Sequence, residues 1–392
     1  MSGATLIVTN DFGPRVGGIE AFVQSMASRL AQAGGAGSVV VHTARQPESA
    51  AFDADLPYAV VRDDLKVLLP TAGVVRRCAR TAREFGCDRV WFGSAAPLAQ
   101  MAPALREAGI RRAVATTHSA EEWWSRLPGT RSVLHRIGDR VDTVTYLGEH
   151  SRRALSGVLS ESAREQMRHL PPGVDVERYH PGVDGARLRA QLGLADRPVV
   201  VSISRLIRRK GQDALIEAWP RIQDEVPGAA LVIVGDGPSR PRLQTQVEQA
   251  GLGAHIMLTG QVPWSRTPEY FALGDVFAMP TRTRLLGLEP EGVPLSALEA
   301  QASGLPVVIG DSGGAPDTIR DGVTGHVVNG RDLDQVARAV VDLLSDRQRA
   351  LAWGMAGRDF VTQRFQWDDL AADLQQMLDP DEPDPDSAQE ED

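Results

Sequence analysis

Residues 199–219, VVVSISRLIRRKGQDALIEAW, decide how this chain folds. The apolar run Val199 to Ile203 reads as a strand, RLIRRK as a basic turn, and the segment from Gln212 as a helix with Leu215, Ile216 and Trp219 inward. Strand, loop and helix in that order make the repeating unit of a parallel α/β sheet, where ligands bind outside the carboxyl ends of the strands. Arg205 and Lys210 are therefore expected to face a crevice. A planar guanidinium fork beside a compact ammonium suits a diphosphate. The plainer reading of the same turn is a solvated basic loop.

Downstream, Thr281 to Gly304 (TRTRLLGLEPEGVPLSALEAQASG) places Glu291 and Glu299 eight residues apart. The segment from Ser296 has helix-forming composition and Gly304-Leu305-Pro306 stops it, so Glu299 is expected in the first helical turn and Glu291 in the loop before it. Ionised carboxylates accept hydrogen bonds and sugar hydroxyls donate them, so the pair suits a sugar and a ribose. Taken alone, acids near a helix start are more often surface charges that complement the helix dipole. The amino-terminal stretch TLIVTNDFGPRVGGIEAF offers a strand from Leu6 to Thr9, a Gly/Pro loop and a helix beginning just after Gly17-Gly18. Glycines at a helix start let backbone N–H groups approach an anion. The chain contains neither a P-loop motif nor a dinucleotide glycine fingerprint after its first strand.

With these segments in view, the chain resembles the retaining glycosyltransferases of the GT-B fold, in the large family that carries a Gly-Gly loop, an S-R-L-x-x-x-K-G segment and an E-x7-E segment. Within that family it is most similar to the GDP-mannose-dependent phosphatidylinositol monomannoside α-1,6-mannosyltransferases. The phrases behind the closer likeness are LIVTNDFGPRVGGIE, VWFGSAAPLA, RSVLHRIGD, LPPGVDVERYHP, SRLIRRKGQDALI, DVFAMPTRTR and SGGAPDTI. The resemblance implies two Rossmann-like domains facing across a cleft, with a carboxyl-terminal helix crossing back to the first. It implies that Arg205 and Lys210 bind the diphosphate and that Gly17 and Gly18 add backbone amides to it. Glu299 would hold the ribose, Glu291 the donor sugar, and His118 would sit near the anomeric carbon. Gly235, Gly237 and Val262 belong to the segments that hold the base. Catalysis would run through an oxocarbenium-like state, with His118, Arg205, Lys210 and Glu291 in the working set and no metal or cofactor.

Two segments depart from the closer pattern. Where those mannosyltransferases usually read T-H-G-H-E, this chain has Thr117-His118-Ser119-Ala120-Glu121. Where they read G-G-G-L-D-V-E-G, it has Leu285-Leu286-Gly287-Leu288-Glu289-Pro290-Glu291-Gly292. Both changes bear on the sugar and the acceptor, not on the transferase class.

A chain of 392 residues exceeds one ordinary core. Alternating strand and helix patterns pause at the Pro/Gly-rich Pro171 to Gly185, read as a linker, and then resume. The expected divisions are an acceptor-binding domain over 1–172, a sugar-nucleotide domain over 173–360, a helix over 361–378 that packs on the first domain, and a disordered acidic tail over 379–392. One long helical stretch from Arg347 to Leu378 is expected to close the folded part. The net charge of -9 comes mostly from that tail, which argues against a nucleic-acid partner. Residues 61–170 instead carry 18 Lys and Arg against 12 Asp and Glu. The segment VVRRCARTARE spaces Arg76, Arg77, Arg80 and Arg83 for one helix that could rest on anionic lipid, or be an ordinary basic face. Asp53-Ala54-Asp55 reads as a turn.

No apolar run reaches 18 residues and the start lacks a signal-peptide pattern, so a cytoplasmic protein is expected, with peripheral contact to the inner membrane face. The expected partners are a sugar nucleotide and a glycolipid. Two other readings stay open: the same fold with a UDP-sugar and a soluble acceptor, and a catalytically silent sugar-nucleotide-binding protein.

Overall fold

The computed structural model describes residues 3–15 and 17–379. The chain divides into two compact units, residues 1–172 with 367–392, and residues 173–366. Residues 361–366 therefore lie with the second unit, and from Pro380 onward the acidic tail lies outside the described residues.

The first unit is built on a seven-stranded sheet in the order β3-β2-β1-β4-β5-β6-β7. Its strands are β1 (Ala4–Thr9), β2 (Val39–Ala44), β3 (Ala59–Asp63), β4 (Cys87–Phe92), β5 (Arg112–Thr116), β6 (Thr143–Tyr146) and β7 (Met167–His169). The second holds six strands in the order β10-β9-β8-β11-β12-β13: β8 (Val199–Ile203), β9 (Ala230–Val234), β10 (Ile256–Gly260), β11 (Val276–Met279), β12 (Val307–Gly310) and β13 (Gly325–Val328). Every pairing in both sheets is parallel. Parallel strands are covered by helices on both faces, which is why β1, β8, β9, β11 and β12 are buried along their whole length. In each sheet the order reverses beside the first strand, between β1 and β4 and between β8 and β11. Such switch points open a crevice at the carboxyl ends of the strands. The loops after β1 and β8 carry Gly17-Gly18 and Arg205–Lys210 respectively.

Four expectations change. The stretch Arg347 to Leu378 is two helices, Arg347–Arg364 and Trp367–Leu378, because the chain breaks at Phe365-Gln366. There Phe365 turns its side chain into the core, and its carbonyl accepts from the Val174 amide at 2.7 Å. Pro171 to Gly185 is not a loose linker: Val174, Val176 and Tyr179 are buried, and the Arg358 guanidinium donates to the carbonyls of Val176 and Tyr179. Asp53 ends no simple turn but lies in a short helix, Ser49–Ala54, where its carboxylate takes both Nε and Nη2 of Arg62 at 2.7 Å. Finally, the helix carrying Glu299 starts at Leu295 and has no acid in its first turn, so Glu299 sits in the second.

The helix Trp367–Leu378 belongs to the first unit. Leu370, Ala371, Leu374 and Leu378 enter the same core as Phe22, Met26 and Leu30 of the helix Gly18–Gly34. Arg29 adds an ion pair to Asp368 at 2.7 Å and lies 5.6 Å from the Trp367 ring centroid.

Candidate functional site

In the second unit the candidate residues gather beyond the carboxyl ends of β8 to β12. After β8 the chain makes a short 3-10 turn, Arg208–Lys210, and starts the helix Gln212–Glu225. The loop after β9 runs alongside it. At Gly235 (φ 132°) and Gly237 (φ 155°) an added Cβ would collide with the carbonyl oxygens of Ser204 and Leu206. Both glycines are thus needed to seat the Arg205 loop, a reason for them that does not involve a ligand. Val262 is partly buried against the unit's core.

The charged groups form a chain of alternating sign. Lys210 Nζ lies 3.1 Å from Glu291 Oε1, and Arg209 Nε lies 3.1 Å from Glu291 Oε2. Arg209 also reaches Glu289 Oε1 at 3.5 Å, and Arg284 reaches Glu289 Oε2 at 3.1 Å. Glu291 is only 4% exposed, so its charge is matched by cations rather than by water. Its backbone N–H donates to Ser312 Oγ at 3.0 Å, and Ser312 shares a 2.8 Å hydrogen bond with Thr283. Arg205, in contrast, is exposed, with no side-chain partner among the described residues. The loop therefore presents two exposed guanidiniums without a side-chain partner among the described residues, Arg205 and Arg208, beside a Lys–Glu–Arg cluster that keeps a net positive charge.

Glu299 stands apart from that cluster. Burial pushes its carboxyl up to about 7, partly offset by the Tyr179 hydroxyl and the Arg178 charge. Tyr179 shares a 2.8 Å hydrogen bond with Thr267, and Arg178 lies flat on the exposed Trp264, 3.3 Å from the ring centroid. Arg209, Glu289, Ser312 and Tyr179 were not singled out by sequence. One signal was available: in an extended segment residues two apart face the same way, so Glu289 and Glu291 share a side.

In the first unit, Gly17 is extended (φ -168°) and caps the helix Gly18–Gly34. The Glu20 carboxylate lies over it, where a Gly17 Cβ would collide, and takes Arg15 Nε at 2.6 Å. Arg15 also pairs with Asp11 at 3.3 Å, and Asp11 accepts from the Ser94 hydroxyl at 2.7 Å. Space beside Gly18 is open. His118 follows β5 and is 5% exposed. Its Nε2 is 2.8 Å from the Gly93 carbonyl, which can only accept, so Nε2 carries a proton. The ring meets Phe22 edge-on at 5.6 Å. Below it Glu121 accepts the amides of His118 at 2.9 Å and Ala96 at 3.1 Å, with its carboxyl raised by burial. His118 is thus oriented from two sides.

Residues 16–178 match the family model described as Glycosyltransferase Family 4, and residues 185–360 that described as Glycosyl transferases group 1. The chain is 45% identical over 377 residues to the GDP-mannose-dependent alpha-(1-6)-phosphatidylinositol monomannoside mannosyltransferase of Mycobacterium tuberculosis, covering 95% of this chain and 97% of that one. It is 40% identical to the corresponding monoacylated-substrate enzyme of Corynebacterium glutamicum, over 96% and 98% of the two chains. Among solved structures, HepE of Anabaena in complex with UDP superposes with a TM-score of 0.79 at 21% identity, over 96% and 99% of the chains. That likeness shows the fold. With two parallel Rossmann-like sheets and near-full-length identity to named transferases, the chain belongs to the family-four, group-one glycosyltransferases and has the GT-B fold.

Proposed function

We propose that this protein transfers mannose from GDP-mannose to a phosphatidylinositol mannoside, with retention of the anomeric configuration, at the cytoplasmic face of the membrane. The observation that carries the proposal is the 45% identity along 95% of the chain to an enzyme named for that reaction. The presence of Arg205, Lys210, Glu291 and Glu299 in the motifs of the resemblance supports it. Arg205 supplies an uncommitted cation for the diphosphate, and Lys210 joins it when phosphate oxygens compete with Glu291 for the ammonium. Exchanging one anionic partner for another keeps Lys210 compensated throughout. As the glycosidic bond breaks, charge grows on the departing phosphate, and preorganised donors there typically supply ~3 kcal/mol each. Glu291, released in part from Lys210, becomes an acceptor for the sugar hydroxyls. His118 is held in a fixed orientation by the bond from Nε2 to the Gly93 carbonyl. No protein nucleophile is assigned: the leaving diphosphate takes the acceptor proton on the face it departs from.

A surface of exposed apolar and basic side chains on the first unit supports the acceptor class. The loop 64–71 is clasped at Leu68, whose N–H and C=O both bond the Asn10 side chain at 2.7 and 3.1 Å. Held there, the loop turns Leu65, Val67 and Leu69 outward. It leads into the helix Ala72–Glu84, with Arg76, Arg80 and Arg83 exposed and Arg77 paired to Asp63 at 2.8 Å. Apolar side chains beside exposed arginines suit an anionic bilayer surface. No helix among the described residues is long and apolar enough to cross a membrane.

The test is transfer from GDP-mannose, UDP-glucose, UDP-N-acetylglucosamine and UDP-glucuronate, each with and without phosphatidylinositol monomannoside vesicles. Consumption of GDP-mannose alone, and only with the lipid, is expected. Use of a UDP-sugar, or indifference to the lipid, would shift the reading to the alternative that the departures at Ser119-Ala120 and Leu285-Leu286 keep in view. Consumption of none would favour a silent binding protein.

A further inference from the structure

The second unit has a cavity of about 400 Å³ at the other end of its sheet. Its wall includes the residues just before β8, β11 and β12, so it opens at the amino-terminal ends of the strands. The Arg205 and Glu291 loops lie beyond the carboxyl ends, and a five-residue strand separates the two by roughly 17 Å. The volume falls in the ordinary range for small-molecule sites, about 300–1,000 Å³.

Its chemistry is two-sided. Leu305, Leu343 and Leu351 give an apolar wall, and Arg189 and Arg347 supply cations. Arg189 pairs with Asp275 at 3.1 Å, yet its buried Nε–H has no acceptor among the described residues. Arg347 is exposed with no side-chain partner among them. It also opens the helix Arg347–Arg364, whose first turn holds no acid and whose cap, Asp346, is already taken by Arg349 at 3.1 Å. The Asp346 carboxylate already complements that helix end, which leaves the Arg347 guanidinium uncommitted beside the cavity. One turn on, Leu351 is 58% exposed, and Met355 at 50% continues the apolar surface along the same helix face.

We propose that this cavity binds a single-chain anionic amphiphile, its acidic head against Arg347 and its hydrocarbon along Leu305, Leu343 and Leu351. The site is separate from the donor-binding loops and does not depend on which sugar they take. Titration calorimetry on the full chain tests it with laurate, monododecyl phosphate, inorganic phosphate and dodecyl maltoside, the amphiphiles below their micelle concentrations. Saturable one-to-one binding of laurate or monododecyl phosphate is expected, and the stronger of the two identifies the head as carboxylate or phosphate. That binding should fall at least tenfold in Arg347→Glu and in Leu351→Ser. Arg347→Glu places an acid at a helix start, so its Tm should not fall. Four outcomes overturn the proposal: neither anionic amphiphile binds; both variants keep the affinity; dodecyl maltoside or inorganic phosphate binds as well; or light scattering finds a dimer that Leu351→Ser dissociates, showing that a second copy covers this face.

Discussion

Glu291 and Glu299 come from one short segment, and the second unit treats them in opposite ways. Glu291 lies between Lys210 and Arg209, its charge fixed by two cations within 3.1 Å. Glu299, one loop and one helical turn later, has a hydroxyl and a more distant guanidinium, and burial raises its carboxyl to about 7. The first carboxylate is paired with two cations which, on our proposal, a diphosphate will need. The second gains its charge only near neutral pH, and hydroxyl donors from a ribose would favour that ionisation. Similar spacing to a helix start does not set similar chemistry; the neighbours do.

The largest effect expected from breaking this contrast is at Lys210. Lys210→Ala removes the ammonium that serves Glu291 and, on our proposal, the leaving phosphate, so kcat should fall by ~10²–10³ in a protein that stays folded, its melt lowered by less than that of Glu291→Gln because Arg209 still pairs the carboxylate. Near-normal turnover in the folded variant would remove the phosphate assignment. Glu291→Gln leaves Arg209 and Lys210 facing an amide. Both activity and stability should drop, the latter by about 3 kcal/mol if the cluster behaves as a buried pair that has lost one partner, read from urea unfolding.

Glu299→Gln should act in the opposite direction on stability. A carboxyl raised from 4.5 to about 7 in the folded protein favours folding fully below pH 4.5, and that contribution is lost as pH rises through 7. The neutral variant should therefore match the parent near pH 5 and melt higher at pH 8, by up to roughly 3 kcal/mol, because each pH unit separating the folded from the unfolded titration midpoint is worth about 1.36 kcal/mol. GDP affinity of the parent should rise from pH 6 to pH 8, while that of Glu299→Gln stays flat. A parallel rise in both would detach Glu299 from the ribose. The smallest effect is expected from Tyr179→Phe, which removes a hydroxyl that favours the ionised Glu299. The midpoint of the GDP-affinity profile should move upward by a fraction of a pH unit, visible only in a careful titration.

Much of the scaffold was legible from local pattern. Val199 to Ile203 and the helix from Gln212 appear as read, with Leu215, Ile216 and Trp219 buried. Strand and helix periodicities are properties of a few consecutive residues, and their alternation predicts parallel sheets. Where the reading slipped, the cause was tertiary. Phe365 breaks a helix because its side chain finds the core. Leu295 joins the Glu299 helix one residue early, and Pro171 to Gly185 looks like a linker until its valines and Tyr179 are seen to be buried.

By itself, then, the sequence determined two α/β units, the basic loop after β8 and the carboxylate pair after β11, all written in adjacent residues. Tertiary structure alone decided which charges are free and which are spent. Arg205 and Arg209 lie four residues apart on one loop, yet Arg209 is bound to a carboxylate 82 positions away while Arg205 is open to solvent. An ion pair depends on distance in space and on exclusion of water, and neither is encoded in the order of neighbouring residues.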